Sequence, residues 1–190
     1  MKETSGRKNG QVFEKMDTLK HFFEEPEREF HLRELARIMN ASPSTVSNDM
    51  DYLEKRGLII SSTSRGFRIL KANNENRVYR LLKIAYNSYK IRESGLIDFL
   101  NEELNNPKSI ILFGSFRKGE NIPGSDIDLF VETPTKKGLD LAGFEKRLGH
   151  PIQIFRFAKK DIEAMKKSNR ELLNSIINGI VLEGFFEVFR

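Results

Sequence analysis

The sequence predicts a two-domain α+β protein, because helical spacing dominates the first part and short apolar strands alternate with helices in the second. The chain has 190 residues and a mass of 22.0 kDa, enough for two small domains that each close a modest core. The charge is also divided unevenly. Residues 1–92 carry 18 Lys and Arg against 12 Asp and Glu, whereas residues 93–190 carry 14 against 15. A basic first half favours a polyanionic partner.

Composition excludes several classes of protein. The chain has no cysteine and three scattered histidines, which excludes a disulfide framework, a thiolate metal site and a cysteine nucleophile. Any metal chemistry must therefore use carboxylates, the ligands of hard ions such as magnesium. No run approaches 18 apolar residues, and the first ten residues are polar. We therefore expect a cytoplasmic, soluble protein without a membrane partner.

The first 72 residues have the pattern of a helix-turn-helix followed by a hairpin. Apolar spacing predicts helices over residues 11–24 and 31–39 and, after the turn at residues 40–43, a third helix to Arg56. Ser42 is placed to cap the third helix and Pro43 occupies its first turn. Two short strands, 58–60 and 67–70, flank a loop of small residues. The hairpin formed by these strands would be a wing.

The exposed face of the third helix offers short polar side chains that can reach base edges or phosphates in a major groove. These are Ser44, Thr45, Ser47 and Asn48. Arg56 can flank the DNA backbone, and Arg65 at the loop tip can enter a minor groove. Together these six residues are the predicted DNA-binding set.

The run FHLRELARIMNASPSTVSNDMDYLEKRGLI resembles the winged helix-turn-helix of small prokaryotic transcription regulators. The resemblance implies double-stranded DNA as the partner and transcription regulation as the role. We expect a homodimer, and a palindromic DNA site would further indicate one. Winged helices also serve as protein or RNA contacts, and that alternative remains open.

A longer helix is predicted to connect the two halves. Residues 73–94 form this linker, with an apolar stripe of Val78, Leu81, Leu82, Ala85 and Tyr89. The second domain, residues 95–190, begins with a short helix. Strands are then predicted at 110–113, 126–131 and 152–157, with helices at 139–148, 159–168 and 170–183.

Residues 110–131 (IILFGSFRKGENIPGSDIDLFV) contain the strongest chemical signal. Alternation along the second strand places Asp126 and Asp128 on one face, where their mutual repulsion favours a divalent cation between them. Gly114 lets a phosphate approach the backbone, and the amides near Ser115 can donate to it. The neighbouring Arg117 and Lys118 add positive charge. The pattern predicts a site for metal and triphosphate.

Ten residues separate Ser115 from Asp126, and apolar strands flank both motifs. This spacing is similar to the signature of the DNA polymerase beta-type nucleotidyltransferase superfamily, in particular its minimal single-domain members. The resemblance implies a mixed sheet with helices on one side and a nucleoside triphosphate, such as ATP, on the Gly114–Ser115 turn. It also implies that Asp126 and Asp128 are catalytic and bind one or two Mg²⁺ ions during nucleotide transfer to a hydroxyl acceptor.

One position departs from the family pattern. A later strand of the family carries a third carboxylate, whereas the matching strand here has Gln153, a neutral amide that cannot act as a strong ligand or base. Glu132, Asp140 or Glu145 could substitute, and His150 could lie near the site. Two alternatives to an active enzyme follow. The second domain binds nucleotide only as an effector of a transcription regulator, or the chain is an antitoxin-type partner protein.

Overall fold

The computed structural model describes residues 15–188 and divides the chain into two compact units, one ending at Arg80 and the other beginning at Leu81. The division falls inside the predicted linker, residues 73–94. Within the described residues, no helix is both long and apolar enough to cross a membrane. Each unit has its own sheet.

The first unit combines helices with a small antiparallel sheet. Its elements are α1 (Met16–Glu24), β1 (Phe30–His31), α2 (Leu32–Ile38), α3 (Pro43–Lys55), β2 (Ile59–Ser64) and β3 (Phe67–Ala72). The Ser42 side chain accepts a hydrogen bond from Thr45 N, as a helix cap does, and Pro43 opens α3. The predicted first helix began at residue 11, and residues 11–14 lie outside the described residues.

The strands of this unit are arranged in the order β1-β3-β2. The short strand β1 had not been predicted, because two residues give no period; it pairs Phe30 with Leu70. Strand β2 extends through Ser64, where the sequence predicted a loop. Only Arg65 and Gly66 remain in the turn, with φ of 50° and 78°. Positive φ at both residues is typical of a tight hairpin turn, so the predicted hairpin is present with a shorter loop.

Helix α4 (Arg77–Glu93) carries the chain from the first unit into the second. The Asn76 side chain accepts hydrogen bonds from the backbone N–H groups of Val78 and Tyr79 at its start. The predicted apolar stripe is wrong, since Val78, Leu81 and Tyr89 are 54%, 64% and 63% exposed. The buried face lies elsewhere and is partly polar: it consists of Tyr79, Lys83, Asn87 and Ile91.

The second unit is built on a four-stranded mixed sheet of order β6-β5-β4-β7. After α4 its elements are α5 (Leu96–Glu103), β4 (Ser109–Phe113), α6 (Gly114–Lys118), β5 (Ile127–Glu132), α7 (Ala142–Leu148), β6 (Ile152–Phe157), α8 (Lys159–Ser168), α9 (Arg170–Ile177) and β7 (Ile180–Gly184). Strand β4 runs antiparallel to β5 and β7, whereas β5 and β6 are parallel. The predicted mixed sheet is therefore present.

Helices cover both faces of this sheet, not one face as expected. Residues Ile110 and Leu112 of β4 pack in a core with Leu96, Ile97 and Leu100 of α5. Their neighbours Ile111 and Phe113 point the other way, into a core with Ile162 of α8 and Ile176 of α9. Every residue of β4 is buried, as expected for a strand covered on both sides.

The last predicted helix is too long. The apolar spacing of residues 170–183 was read as one helix, but α9 ends at Ile177 and β7 follows as an edge strand beside β4. Gly179 allows the change of direction, because a Cβ there would overlap the Ile111 side chain and the Leu112 carbonyl oxygen. The helix therefore ends before Gly179, where the backbone comes close to β4, although the apolar spacing continues.

Candidate functional site

The glycine turn lies against the second aspartate. Gly114 follows the last residue of β4, Phe113, which is paired with Asp128 on β5. Gly114 has a φ of 69°, in the left-handed region, and a Cβ at this position would overlap the Asp128 carboxylate. Glycine is therefore required here for two reasons: the backbone has a positive φ, and the Asp128 side chain leaves no room for a Cβ.

Asp126 and Asp128 flank a buried residue, Ile127, at the start of β5. Both aspartates are half-buried. Burial, and then the neighbouring Asp126 carboxylate, raise the pKa of Asp128 above its ordinary value. Within residues 15–188 the Asp128 carboxylate has no hydrogen-bond or ion-pair partner. Such an environment favours binding of an external cation.

Gln153 lies beside both aspartates. Strands β5 and β6 pair Asp128 with Gln153 in parallel register, and Gln153 Nε2 donates a hydrogen bond to Asp126 Oδ2 over 2.5 Å. The predicted strand alignment at residues 152–157 agrees with the structure. The amide of Gln153 therefore lies beside both aspartates, at the position where the sequence resemblance leads us to expect a third carboxylate.

The three acidic substitutes that the sequence offered lie in other surroundings. Glu132 is at the far end of β5, 3.8 Å from Lys108 Nζ. Glu145 accepts a hydrogen bond from Ile152 N, and Asp140 accepts one from Ala142 N. His150 Nδ1 lies 2.9 Å from Ser125 O, next to Asp126 in sequence.

The donor set decides how many magnesium ions these residues could hold. Magnesium commonly binds one or two protein carboxylates together with substrate phosphates, so Asp126 and Asp128 fit one ion bound jointly with a triphosphate. A second ion needs a further carboxylate. Within the described part of the chain, no group of three His, Cys, Asp or Glu side chains is placed to hold a metal. The two carboxylates therefore fit one ion bound together with a triphosphate.

A groove of about 600 Å³ adjoins the glycine turn. On one side it is lined by Phe113, Gly114 and the two cations of α6, Arg117 and Lys118. The Nε atom of Arg117 is buried and donates to no acceptor in residues 15–188. The remaining lining residues are Glu171, Asn174 and Ser175 on the polar face of α9 and Asn178, which follows this helix. The short helix α6 contains all four residues predicted to bind the phosphates, namely Gly114, Ser115, Arg117 and Lys118.

Sequence reasoning missed a buried polar network behind the turn. Lys83 and Asn87 of α4 are 1% and 4% exposed. Lys83 Nζ donates to Asn121 O over 2.5 Å, and Asn87 Nδ2 donates to Phe116 O and Asn121 Oδ1 over 3.0 and 2.8 Å. The network holds the loop between α6 and Asp126. The available signal was the spacing of four residues that places Tyr79, Lys83, Asn87 and Ile91 on one face of α4.

The predicted DNA-binding residues lie on the surface of the first unit. Ser44, Thr45, Asn48, Arg56 and Arg65 are exposed, and Ser47 is half-buried. The hydroxyls of Ser44 and Thr45 also contact Ser42 Oγ, at 2.9 and 2.8 Å, so they contribute to capping α3. Arg56 lies over the Tyr52 ring, 5.0 Å from its centroid.

Two further arginines adjoin this surface and were not singled out from the sequence. Arg33 and Arg37 are exposed on α2 and line a surface concavity of about 590 Å³ with Asn40 and Pro43. Their spacing of four residues, just before the turn, was the signal that could have identified them.

Comparison with known families bears on the second unit. Residues 93–177 match the family model described as Nucleotidyltransferase domain. Neither the curated proteins nor the solved structures yield a match to the chain. The matched segment includes Gly114, Asp126, Asp128 and Gln153 but none of the first unit. The sequence resemblance of the second half is thereby confirmed: through residues 93–177, this chain is similar to nucleotidyltransferase domains.

Proposed function

We propose that the second unit is a magnesium-dependent nucleotidyltransferase that moves a nucleoside monophosphate from a triphosphate to a hydroxyl of an acceptor. The acceptor oxygen forms a bond to the α-phosphorus, the bond from that phosphorus to the bridging oxygen of the β-phosphate breaks, and pyrophosphate leaves. One observation carries the proposal: the Asp128 carboxylate, beside Asp126, lies against Gly114, which has no Cβ, and accepts no hydrogen bond or ion pair from any residue between 15 and 188. A carboxylate pair next to an exposed backbone turn suits a metal-bound polyphosphate. The family match at residues 93–177 supports the same chemistry.

Each residue has a role in this proposal. The Gly114–Ser115 backbone and the cations Arg117 and Lys118 bind and orient the phosphates. Asp126 and Asp128 hold magnesium, which when bound neutralises phosphate charge during in-line transfer. Gln153 holds Asp126 in place through its amide hydrogen bond. Nucleotide transfer is thus attributed mainly to positioning and charge neutralisation.

The test uses triphosphates labelled at the α-phosphate, magnesium, the full chain and a cell extract as the source of acceptor. We expect a labelled product with the wild type and none with Asp128→Asn, which keeps the shape of the side chain but removes its charge. A product of equal yield from both proteins, or no product from either, would contradict transfer.

A second candidate function is favoured by one specific contact, the hydrogen bond between Gln153 and Asp126. If transfer is too slow to serve as the main activity, the unit binds magnesium and nucleotide as an effector. In that case the labelled triphosphate is retained by the protein and is recovered unchanged. The same experiment therefore separates catalysis from ligand sensing.

The first unit is, in the same proposal, a winged helix-turn-helix that binds duplex DNA as a homodimer. The support is the α2–turn–α3 arrangement, the exposed polar start of α3, Arg65 at the hairpin tip, and the excess of basic residues before position 93. Two copies of α3 would read half-sites about one helical turn apart.

Gel retardation of duplex DNA by the full chain at several salt concentrations tests this part. We expect Arg65→Ala to reduce the slope of log affinity against log salt by about one, as loss of one phosphate contact does. If the wild type retards no DNA at low salt, the first unit has another partner, such as a protein.

A further inference from the structure

The groove beside Gly114 has the size and lining of a ligand site. Its volume of about 600 Å³ lies within the usual range for small-molecule pockets, about 300–1,000 Å³. It is open at the turn to which the phosphates are assigned, since Gly114 is one of its lining residues. A ligand bound at this turn can therefore extend along the groove between α6 and α9.

The two sides of the groove differ in charge. Arg117 and Lys118 are cationic, and the buried Arg117 Nε–H has no acceptor within the described residues. The α9 side contains the Glu171 carboxylate together with the amide and hydroxyl groups of Asn174 and Ser175. No hydrogen bond or ion pair in residues 15–188 engages these three side chains. Their hydrogen-bonding capacity is available to a ligand.

This distribution indicates which part of a nucleotide fits on the α9 side. A phosphate group there would be repelled by Glu171, whereas hydroxyl and amine groups can donate to its carboxylate. Asn174 can donate and accept, as the edge of a base requires, and Ser175 can do the same. The α9 side is suited to an uncharged group rich in hydrogen bonds.

We infer that the groove between α6 and α9 binds the base and ribose of the nucleoside triphosphate, with Asn174 and Ser175 as recognition residues. This inference rests on the proposed function, which assigns the phosphates to the Gly114 turn. It makes α9 the part of the chain that distinguishes a nucleotide from a bare polyphosphate. The ligand class is a nucleoside triphosphate, recognised at both ends.

The experiment compares two ligands by calorimetry with the full chain and magnesium: ATP and inorganic tripolyphosphate, which lacks base and ribose. For Asn174→Leu we expect the affinity for ATP to fall about tenfold, as loss of a ligand hydrogen bond does. The affinity for tripolyphosphate should not change. Ser175→Ala, which suits a helix, should show the same selective effect and guards against a folding defect in the first variant.

Asn101→Leu is the matched control, because Asn101 lies on α5 and does not line the groove. It should leave both affinities unchanged. Asp128→Asn should weaken both ligands, which reports on the phosphate site alone. If the wild type binds neither ligand, the proposed function fails and the inference with it. If the wild type binds both and the α9 variants weaken both equally or neither, the groove inference alone is overturned.

Discussion

Two acidic pairs, Asp51 with Glu54 in the first unit and Asp126 with Asp128 in the second, have opposite environments. In the first unit, Arg68 on β3 donates to Asp51 over 2.7 Å and to Glu54 over 2.6 Å, and Ser61 Oγ donates to Glu54 as well. In the second unit Asp126 receives only a neutral amide and Asp128 has no partner within the described residues. Carboxylates that stabilise a fold are paired inside it. Carboxylates left beside a glycine turn are available to an external cation.

The pairing in the first unit also has a consequence for recognition. Asp51 and Glu54 lie on α3, the helix assigned to the major groove, where free carboxylates would repel phosphates. Arg68 neutralises both, and it links the hairpin to α3. In the second unit the repulsion between carboxylates is retained, and it disfavours the ligand-free state.

The largest expected effect comes from removing the two carboxylates beside the glycine turn. Asp126→Ala combined with Asp128→Ala should abolish calorimetric binding of magnesium and triphosphate, because the phosphate charge is then no longer neutralised through a metal. The free energy of unfolding should change by less than about 1 kcal/mol, since only the Gln153 hydrogen bond is lost and carboxylate repulsion is relieved. Undiminished binding by the double variant would show that the ligand is held elsewhere.

The next largest effect concerns catalysis. Gln153→Asp supplies the third carboxylate and should raise nucleotide transfer on the order of a hundredfold to ten-thousandfold, the usual contribution of a base or activating ligand. The affinity for the triphosphate should change little. Gln153→Ala is the control, because it removes the amide without adding charge. Equal transfer rates in the wild type and Gln153→Asp would mean that another carboxylate already fills this role.

Removing the partner of the paired carboxylates, Asp51 and Glu54, should lower stability and leave ligand binding unchanged. Arg68→Ala should lower the free energy of unfolding of the first unit by about 1–2 kcal/mol, because two partly exposed charge-assisted hydrogen bonds are lost. Arg65→Ala at the hairpin tip is the matched control and should stay within about 0.5 kcal/mol. Nucleotide binding should be unchanged in both. A stable Arg68→Ala protein would remove the contrast between the two units.

The smallest expected effect is on the pH dependence of the free energy of unfolding, to which Glu54 and Asp128 contribute with opposite signs. Ser61, and then Arg68, lower the pKa of Glu54, so its contribution to stability is present above its ordinary value and is lost as pH falls through the lowered value. The raised pKa of Asp128 has the opposite sign: stability is lost as pH rises from 3.8 through the raised value. The test is chemical denaturation of the wild type, Glu54→Gln and Asp128→Asn between pH 3 and 7. Each variant should lose the pH dependence of the free energy of unfolding that its carboxyl group contributes, and the two lost contributions should have opposite signs. Slopes of the same sign would contradict the assignment.

Local spacing was sufficient to predict the turn and the aspartates. Gly114 follows the short apolar run of β4, whereas Asp126 and Asp128 stand at the start of the short apolar run of β5. Strand alternation fixes which face the two aspartates share. The position of Gln153 depended on one further strand, β6, whose ends were also predicted. These features depend only on the alternation of apolar and polar residues within a few positions of the sequence.

Features that depend on distant packing were not predicted. Helix α4 has two possible apolar faces, and burial of Lys83 and Asn87 is favourable only because Asn121 and Phe116 accept their hydrogen bonds. Strand β7 was read as helix because the close approach of Gly179 to β4 leaves no local trace. The groove depends on α9 lying beside α6, which no spacing in the sequence states.

The number of divalent ions bound per chain tests the central claim most directly. Manganese, which substitutes for magnesium and is detected by electron paramagnetic resonance, can be titrated into the full chain with excess ATP. Two carboxylates, Asp126 and Asp128, beside a neutral Gln153 predict one ion per chain, and Gln153→Asp should add a second. Two ions bound by the wild type, or none in the presence of ATP, would contradict the account.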